Sequence, residues 1–372
     1  MIIGVPKEIK LQEHRIGLTP DSVQVLTKKN HKVLVQSNGG FEAGFTNEDY
    51  KNAGAQIIDN AEEIFKKSEL IVKVKEPQMS EVKMIRENQI IYTYLHLAAA
   101  KELTEGLIKS KSICIAYETV TDDNGRLPLL APMSAVAGRM SIQAGAHSLE
   151  KNQKGRGLLL GGAPGVEPAN VVILGGGVVG ENAAIIATGM KSKVYVVDKS
   201  KDRLKQLHEL FGDKIIAAES DKIDLKKLVS ECDLLIGGVL IPGAEAPKLV
   251  SKEMIKSMKR GSVVVDVAID QGGCIETSKP TTHADPTYTV DDVVHYCVAN
   301  MPGGVPRTST MALNKATLPL LIKIADQGYK KTLLSDKNFL AGLNIFKGKI
   351  TCKGVAEAFK IKYFPPEDVI TA

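Results

Sequence analysis

Four polar side chains stand just past runs of apolar, mostly β-branched residues. Arg15 follows 2–5, Lys75 follows 70–74, His96 follows 89–94 and Asp270 follows 263–267. In open α/β sheets the carboxyl ends of parallel strands face the crevice where ligands bind, so these positions are the ones to weigh for chemistry. Arg15, in KLQEHRIGLTP, carries a planar fork that can hold a carboxylate through two parallel hydrogen bonds; the competing reading is an exposed loop arginine paired with Glu13. Lys75 comes two residues after Lys73, so in an extended run both point to one face, and Glu76–Pro77 ends the run. An ammonium there can hold a carboxylate or polarise a carbonyl oxygen, although a lone lysine at a strand end is often only solvated. His96, in YTYLHLAAA, can pass a proton to or from a substrate oxygen or nitrogen, or serve as a core or capping histidine. Asp270, in VVVDVAIDQGG, can steer a water or stabilise a developing ammonium or iminium, with Asp266 the competing candidate. Two cations, an imidazole and a carboxylate suit a small amino acid.

A second constellation is local. The stretch 171–198, VVILGGGVVGENAAIIATGMKSKVYVVD, reads as strand, turn, helix, strand. Gly175 permits the tight turn, Gly177 leaves room for a pyrophosphate to approach the backbone, and Gly180 lets the helix pack on the strand. Helix N-terminal amides then face the phosphates without a dedicated cation. Asp198 closes the second strand, where a carboxylate accepts from the ribose hydroxyls and repels a 2′-phosphate, which favours NAD over NADP. Glycines alone would fit a structural turn, but the flanking elements and the acid roughly twenty residues further on complete the dinucleotide fingerprint.

The elements that position these residues alternate. Strand-like runs at 2–5, 31–36, 70–74, 89–94 and 112–119 are separated by helical patterns starting near 19–20 and at 46–53, 61–67, 80–87 and 100–110. Such alternation predicts a parallel sheet with helices on both faces. A DDNG turn at 122–125 leaves this region, a helix over 132–151 is long enough to run from one domain into another, and the Gly-rich stretch 155–168 reads as a mobile connection or a binding loop. Beyond the glycine unit, helices at 201–210, 225–230 and 252–258 alternate with strands at 215–218, 234–239 and 263–267. Then 293–326 gives a strand, a Pro/Gly break and a long helix that returns the chain to its first domain. The expected fold is α/β, with two doubly wound parallel-sheet domains, one of them a Rossmann domain for NAD, joined by long helices with a cleft between. The substrate domain takes 1–131 and 306–372, and the cofactor domain takes 132–305.

A chain of 372 residues exceeds what one core usually serves. The formal charge of +5 is scattered rather than gathered into a stripe, which argues against nucleic acid as the main partner. Five cysteines, far apart and without a CxxC pair, read as reduced and mostly buried, with no metal site among them. The start, MIIGVPKEIK, is broken at once by Pro6 and charges and is no signal peptide, and no run reaches the roughly eighteen apolar residues of a membrane span. The expectation is a soluble, cytoplasmic protein.

Taken together, MIIGVPKEIKLQEHRIGLTP, KVKEP, YTYLHLAAA, LLAPMS, LGGGVVGENAA, VDVAIDQGGC, KPTTHADPTY and VANMPGGVPRTST resemble the alanine dehydrogenase and transhydrogenase alpha-subunit family along essentially the whole chain. The resemblance implies NAD-dependent, reversible oxidative deamination of L-alanine to pyruvate and ammonium in a homo-oligomer, a hexamer by family likeness. It implies substrate binding by Arg15 and Lys75 and acid–base work by His96 and Asp270. It further implies cofactor contacts at Ser134, Val178, Val179, Asp198, Arg203, Ser220, Val239, Leu240, Val267, Ala268, Ile269, Asp270, Lys279, Val298, Ala299, Asn300 and Met301. The family commonly has arginine where this chain has Lys279, which keeps the charge and loses the fork. The alternative is an NAD(H)-binding subunit that passes hydride within a transhydrogenase-type complex and has no amino-acid substrate.

Overall fold

Runs of Ile, Val and Leu become short strands, fifteen of them among the described residues of the computed structural model, which are 1–239 and 246–371. In chain order they are β1 (Ile2–Val5), β2 (Lys32–Gln36), β3 (Gln56–Ile58), β4 (Leu70–Val72), β5 (Ile90–Thr93), β6 (Ile113–Ala116), β7 (Asn170–Leu174), β8 (Lys193–Asp198), β9 (Ile215–Glu219), β10 (Leu234–Gly237), β11 (Val263–Asp266), β12 (Thr287–Val290), β13 (Val293–Tyr296), β14 (Leu343–Phe346) and β15 (Lys349–Ile350). They divide between two units, Met1–Pro132 with Val305–Ala372, and Met133–Gly304.

The first unit holds an eight-stranded sheet in the order β15-β14-β6-β5-β4-β1-β2-β3. From β6 to β3 the pairing is parallel, with Ile3 opposite both Val33 and Leu70. Strands β4, β5 and β6 are buried at every residue, as apolar strands covered on both faces must be. The covering helices start where their caps dictate. Thr19 accepts from the Ser22 amide before Pro20–Lys28, Thr46 and Asp49 form a capping box for Asn47–Asn52, and Asn60 accepts from Glu63 ahead of Ala61–Lys67. Ile64, Phe65, Ile71, Ile91 and Leu107 form the centre of one core layer.

The second unit is a seven-stranded sheet, β12-β13-β11-β10-β7-β8-β9. Only the edge strand β12 is antiparallel, paired to β13. Successive strands run from β7 outward to β9, after which the chain crosses back to lay β10 on the other side of β7. The winding reverses between β7 and β10, which is where this architecture takes its ligand.

The structure departs from the sequence expectation at the edges. The strands β3, β12, β14 and β15 went unread; β14 runs antiparallel to β6 and β12 antiparallel to β13, so both sheets are mixed rather than wholly parallel. The helix expected over 80–87 is confined to Met79–Val82. The stretch 155–168 is pinned rather than loose: Arg156 donates its amide to Gly261, its guanidinium lies 3.2 Å from Asp233, and Leu160 is buried.

One buried group ties the second unit to pH. His295 Nδ1 lies 3.0 Å from the Val293 carbonyl and Nε2 2.7 Å from the Thr277 hydroxyl, so the ring donates at Nδ1 and accepts at Nε2. Burial pulls its pKa below the ordinary 6.5. A depressed histidine stabilises the fold above that value, and the contribution is lost as pH falls through the folded-state pKa. Thermal unfolding midpoints measured from pH 8 to pH 5 should therefore fall more steeply for the native chain than for His295→Gln. Equal slopes would mean that His295 does not carry this dependence.

Candidate functional site

In the first unit, the loop after β1 brings Arg15 back under cover. It is 2% exposed, and its Nε and Nη2 donate to the two oxygens of Glu13 at 2.6 and 2.5 Å. The pairing with Glu13 is therefore real, but the exposed-loop reading is wrong. Burial pulls the guanidinium pKa down, and the Glu13 hydrogen bonds and charge more than offset it, so the net shift is upward. Arg15 and Glu13 line a cavity of about 220 Å³ with Glu8, Lys10, Gly39 and Glu42.

Strand β4 stops at Val72, so the alternation expected to put Lys73 and Lys75 in the same surroundings fails just beyond it. Lys73 is fully buried against Glu8 and Glu81, each at 2.9 Å. Lys75 is half-buried, its amide donating to Glu8 and its carbonyl accepting from Thr93 Oγ1 at 3.0 Å.

His96 follows β5 in a left-handed conformation, φ +49°, that few non-glycine residues adopt. Glu118 stabilises it, accepting from the His96 amide at 2.6 Å and from Leu95 at 3.1 Å, and lies 4.0 Å from Nδ1. The ring is stacked on Tyr94, 5.8 Å between centroids, and the Arg15 charge acts on the Tyr94 hydroxyl. The end of β5 thus gathers three of the expected residues: Lys75 through Thr93, and His96 and Arg15 through Tyr94.

In the second unit the glycine turn has the geometry of its motif. Gly175 takes φ +92°, a Cβ on Gly180 would stand 1.9 Å from the Gly175 carbonyl oxygen, and a Cβ on Gly177 would meet nothing within 4 Å. Helix Val178–Gly189 begins directly after Gly177, with Val178 exposed and Val179 buried. Asp198 Oδ2 accepts from the Gly176 amide at 2.6 Å and Oδ1 from Ser200 at 2.8 Å, and the Asp198 carbonyl accepts from Ser220. Arg203 donates through Nε to the Gly176 carbonyl at 2.6 Å and is paired with Glu181. Val239 closes on the turn from β10, its Cα being 3.2 Å from where a Gly175 Cβ would lie. Ser134 lies one turn before Gly138, where the helix Ala131–Ser148 packs against the Val179 carbonyl. Leu240 lies outside the described residues.

Beyond β11 a turn of 3₁₀ helix, Val267–Gln271, buries Ala268 and Ile269, leaves Val267 half-buried, and presents Asp270 at the surface. Asp266 is fully buried and caps this turn. It accepts from Ala268 at 3.1 Å, Ile275 at 3.2 Å and the Ser278 hydroxyl at 2.7 Å. Asp270 Oδ1 meets the amide of Asn300, itself at φ +61°, at 3.4 Å. Val298 and Met301 are buried beside it in the chain, and the Ala299 amide bonds Thr281. Lys279 is exposed and donates its amide to the Tyr288 hydroxyl. The positions named in the sequence thus fall mostly just past the ends of β7, β8, β9, β10, β11 and β13, with Ser134 on the long helix and Lys279 in the segment between β11 and β12. Glu8 and Glu118, which hold the first unit's residues, were missed, and Glu13 was read only as a partner of an exposed Arg15. Glu8 and Glu13 stood within the quoted motif, but nothing local marks them as buried.

Residues 4–137 match the alanine dehydrogenase/PNT N-terminal domain and residues 141–353 the alanine dehydrogenase/PNT C-terminal domain. The chain belongs to the alanine dehydrogenase/PNT family. It is 55% identical over 370 residues to an alanine dehydrogenase of Halomonas elongata and 52% identical over 371 residues to one of Methanococcus maripaludis, in each case across 100% of both chains. A solved L-alanine dehydrogenase superposes with a TM-score of 0.94 at 50% identity, over 97% of this chain and 99% of that one. A transhydrogenase from Sinorhizobium meliloti shares the fold at 21% identity, with a TM-score of 0.82 over 94% of this chain and 100% of that one.

As a member of this family with a Rossmann-type unit, the chain uses a nicotinamide cofactor. The glycine turn fits such a dinucleotide, because it offers open space at Gly177 and helix amides behind it. Two alanine substitutions separate fold from ligand. Gly177→Ala should leave the unfolding midpoint unchanged while weakening NADH binding on the order of tenfold or more by fluorescence titration, since the methyl takes ligand space. Gly180→Ala should lower the midpoint as well, because backbone stands where its Cβ must go. Unchanged NADH affinity in Gly177→Ala would remove that position from the site.

Proposed function

We propose that the chain catalyses the reversible, NAD-linked oxidative deamination of L-alanine to pyruvate and ammonium. The observation that carries this reading is the group at the end of β5, a buried cation, a strand-end lysine and an imidazole, in a chain similar to alanine dehydrogenases over its full length. The domain around 1–131 and 306–372 takes the amino acid, and 132–305 takes the nucleotide.

When bound, the cofactor supplies a hydride acceptor for the alanine Cα. Arg15, held in one orientation by Glu13, binds the substrate carboxylate by charge and hydrogen bonding. Lys75 holds the carboxylate or polarises the oxygen that becomes the pyruvate carbonyl. His96 accepts a proton from the water that adds to the imine carbon and returns it as the carbinolamine collapses. Asp270 stabilises the positive nitrogen and orders the water. Asp198 is held at the end of β8 by the Gly176 and Ser200 amides, where its charge would repel a 2′-phosphate, which favours NAD over NADP. Val178, Val179, Ser220, Val239, Leu240, 267–270, Lys279 and 298–301 complete the cofactor contacts, with Ser134 from the long helix. Family likeness extends the proposal to a cytoplasmic homohexamer.

The test is an absorbance assay at the NADH band with pyruvate and ammonium and no partner protein. Turnover is expected. Its absence would overturn the reading and would leave a hydride-passing subunit or a silent NAD binder. Within it, Arg15→Ala should raise the apparent pyruvate and alanine constants at least tenfold, about the loss of one charge-assisted contact. His96→Ala should lower kcat by roughly 10²–10⁴ without changing NADH affinity. Retained turnover with a normal pH profile in His96→Ala would assign the proton to another group.

A further inference from the structure

The first unit buries a cluster that the chemistry above does not use. Lys73 Nζ donates to Glu8 Oε2 and to Glu81 Oε1, both at 2.9 Å, and the three side chains are no more than 2% exposed. The two carboxylates differ in what their second oxygens do. Glu81 Oε2 accepts from the Gln78 amide at 2.8 Å and starts the helix Met79–Val82. Glu8 Oε1 accepts from two consecutive amides, Val74 at 2.6 Å and Lys75 at 3.3 Å.

Those amides lie past the end of β4, and on the other side of Lys75 its carbonyl takes the Thr93 hydroxyl. The Lys75 main chain is therefore gripped on both of its polar groups, by Glu8 and by Thr93. A lysine side chain is long and flexible, so the reach of its ammonium depends on where its Cα is fixed. We propose that Glu8 is a positioning residue for substrate binding: it fixes the main chain of Lys75, and its ion pair with Lys73 holds Glu8 in place to do so. This rests on the substrate role given to Lys75.

The rival account is that Glu8 only balances the charge of Lys73. Three variants separate the two. Glu8→Asp keeps the charge beside Lys73 but is one methylene short of the amides. Glu8→Gln keeps the size, yet its single oxygen cannot serve both the ammonium and the amides. Glu81→Gln removes a carboxylate from the same lysine without touching Lys75. A displaced orienting group costs on the order of tenfold or more, so both Glu8 variants should raise the apparent pyruvate constant by about that factor, with NADH affinity unchanged. Glu81→Gln should stay within about twofold of the native value, as expected of a group outside the binding machinery.

The proposal is overturned if Glu8→Asp is native-like, if Glu81→Gln raises the pyruvate constant as much as Glu8→Gln does, or if NADH affinity falls in parallel. Should one Glu8 variant fail to fold, the other reads the same constant. Lys75→Ala is measured alongside. A native pyruvate constant there would overturn the role of Lys75 itself, whereas an impaired Lys75→Ala beside native Glu8 variants would overturn the positioning role alone.

Discussion

A parallel strand that stops inside a protein leaves amide donors with no ladder partner, and each buried donor left unpaired costs about 1–3 kcal/mol. In this chain carboxylates meet that need at four strand ends. Glu8 accepts from Val74 and Lys75, Glu118 from Leu95 and His96, Asp198 from Gly176 and Ser200, and Asp266 from Ala268 and Ile275. Each lies beside a residue given a functional role: Lys75, His96, the glycine turn and Asp270. The strand ends are where an α/β sheet exposes its ligand crevice, so what satisfies the backbone there also sets where the reactive side chains begin.

A buried carboxylate that satisfies an amide must itself be compensated, and the chain does this in two ways. Glu8 and Glu13 are paired with Lys73 and Arg15. Burial pulls both cations' pKa values down, and the carboxylates reverse this, so each net shift is upward, while burial also pushes the Glu8 carboxyl up against the Lys73 charge. Breaking such a pair would strand a charge in a medium that cannot solvate it, which keeps the loop after β1 and the end of β4 in one arrangement. Among the described residues Asp266 has no such cation in contact, and hydrogen bonds from Ala268, Ile275 and Ser278 hold it. Burial pushes its pKa up against them. That distinguishes it from Asp270, four residues later and exposed: by residue type either aspartate could do acid–base work, and by contact Asp266 is committed to holding the turn from which Asp270 projects.

How much of this was legible follows from the range of each interaction. The glycine unit could be read because its parts lie within one short stretch: the turn, the close approach and the strand-end acid are all local, and the structure keeps them so. The central strands could be read for a similar reason, since a strand buried on both faces is a continuous apolar run. By contrast β14 has four residues and finds its place only by setting Leu343 against Ile115 from the other end of the chain. The fate of Lys73 was hidden in the same way. Nothing in KVKEP distinguishes it from Lys75, because its partner Glu8 is 65 residues away. Arg15 was half legible, its pairing with Glu13 visible two residues off but its burial not, since burial depends on everything packed over the loop.

The two units also differ in how they are equipped to meet an anion, and the difference follows from what each has to hold. A pyrophosphate is large and bears charge on several oxygens, so a row of helix amides behind Gly177 can receive it without a fixed cation, and Arg203 nearby is spent on Glu181 and the Gly176 carbonyl. A small substrate carboxylate has only two oxygens, and its orientation decides which face of Cα is offered for hydride transfer. It calls for a directed donor that cannot swing. Glu13 supplies that restraint by binding two nitrogens of Arg15, at the cost of part of its charge. The cations assigned to the substrate are thus held by carboxylates, Arg15 through its side chain and Lys75 through its main chain.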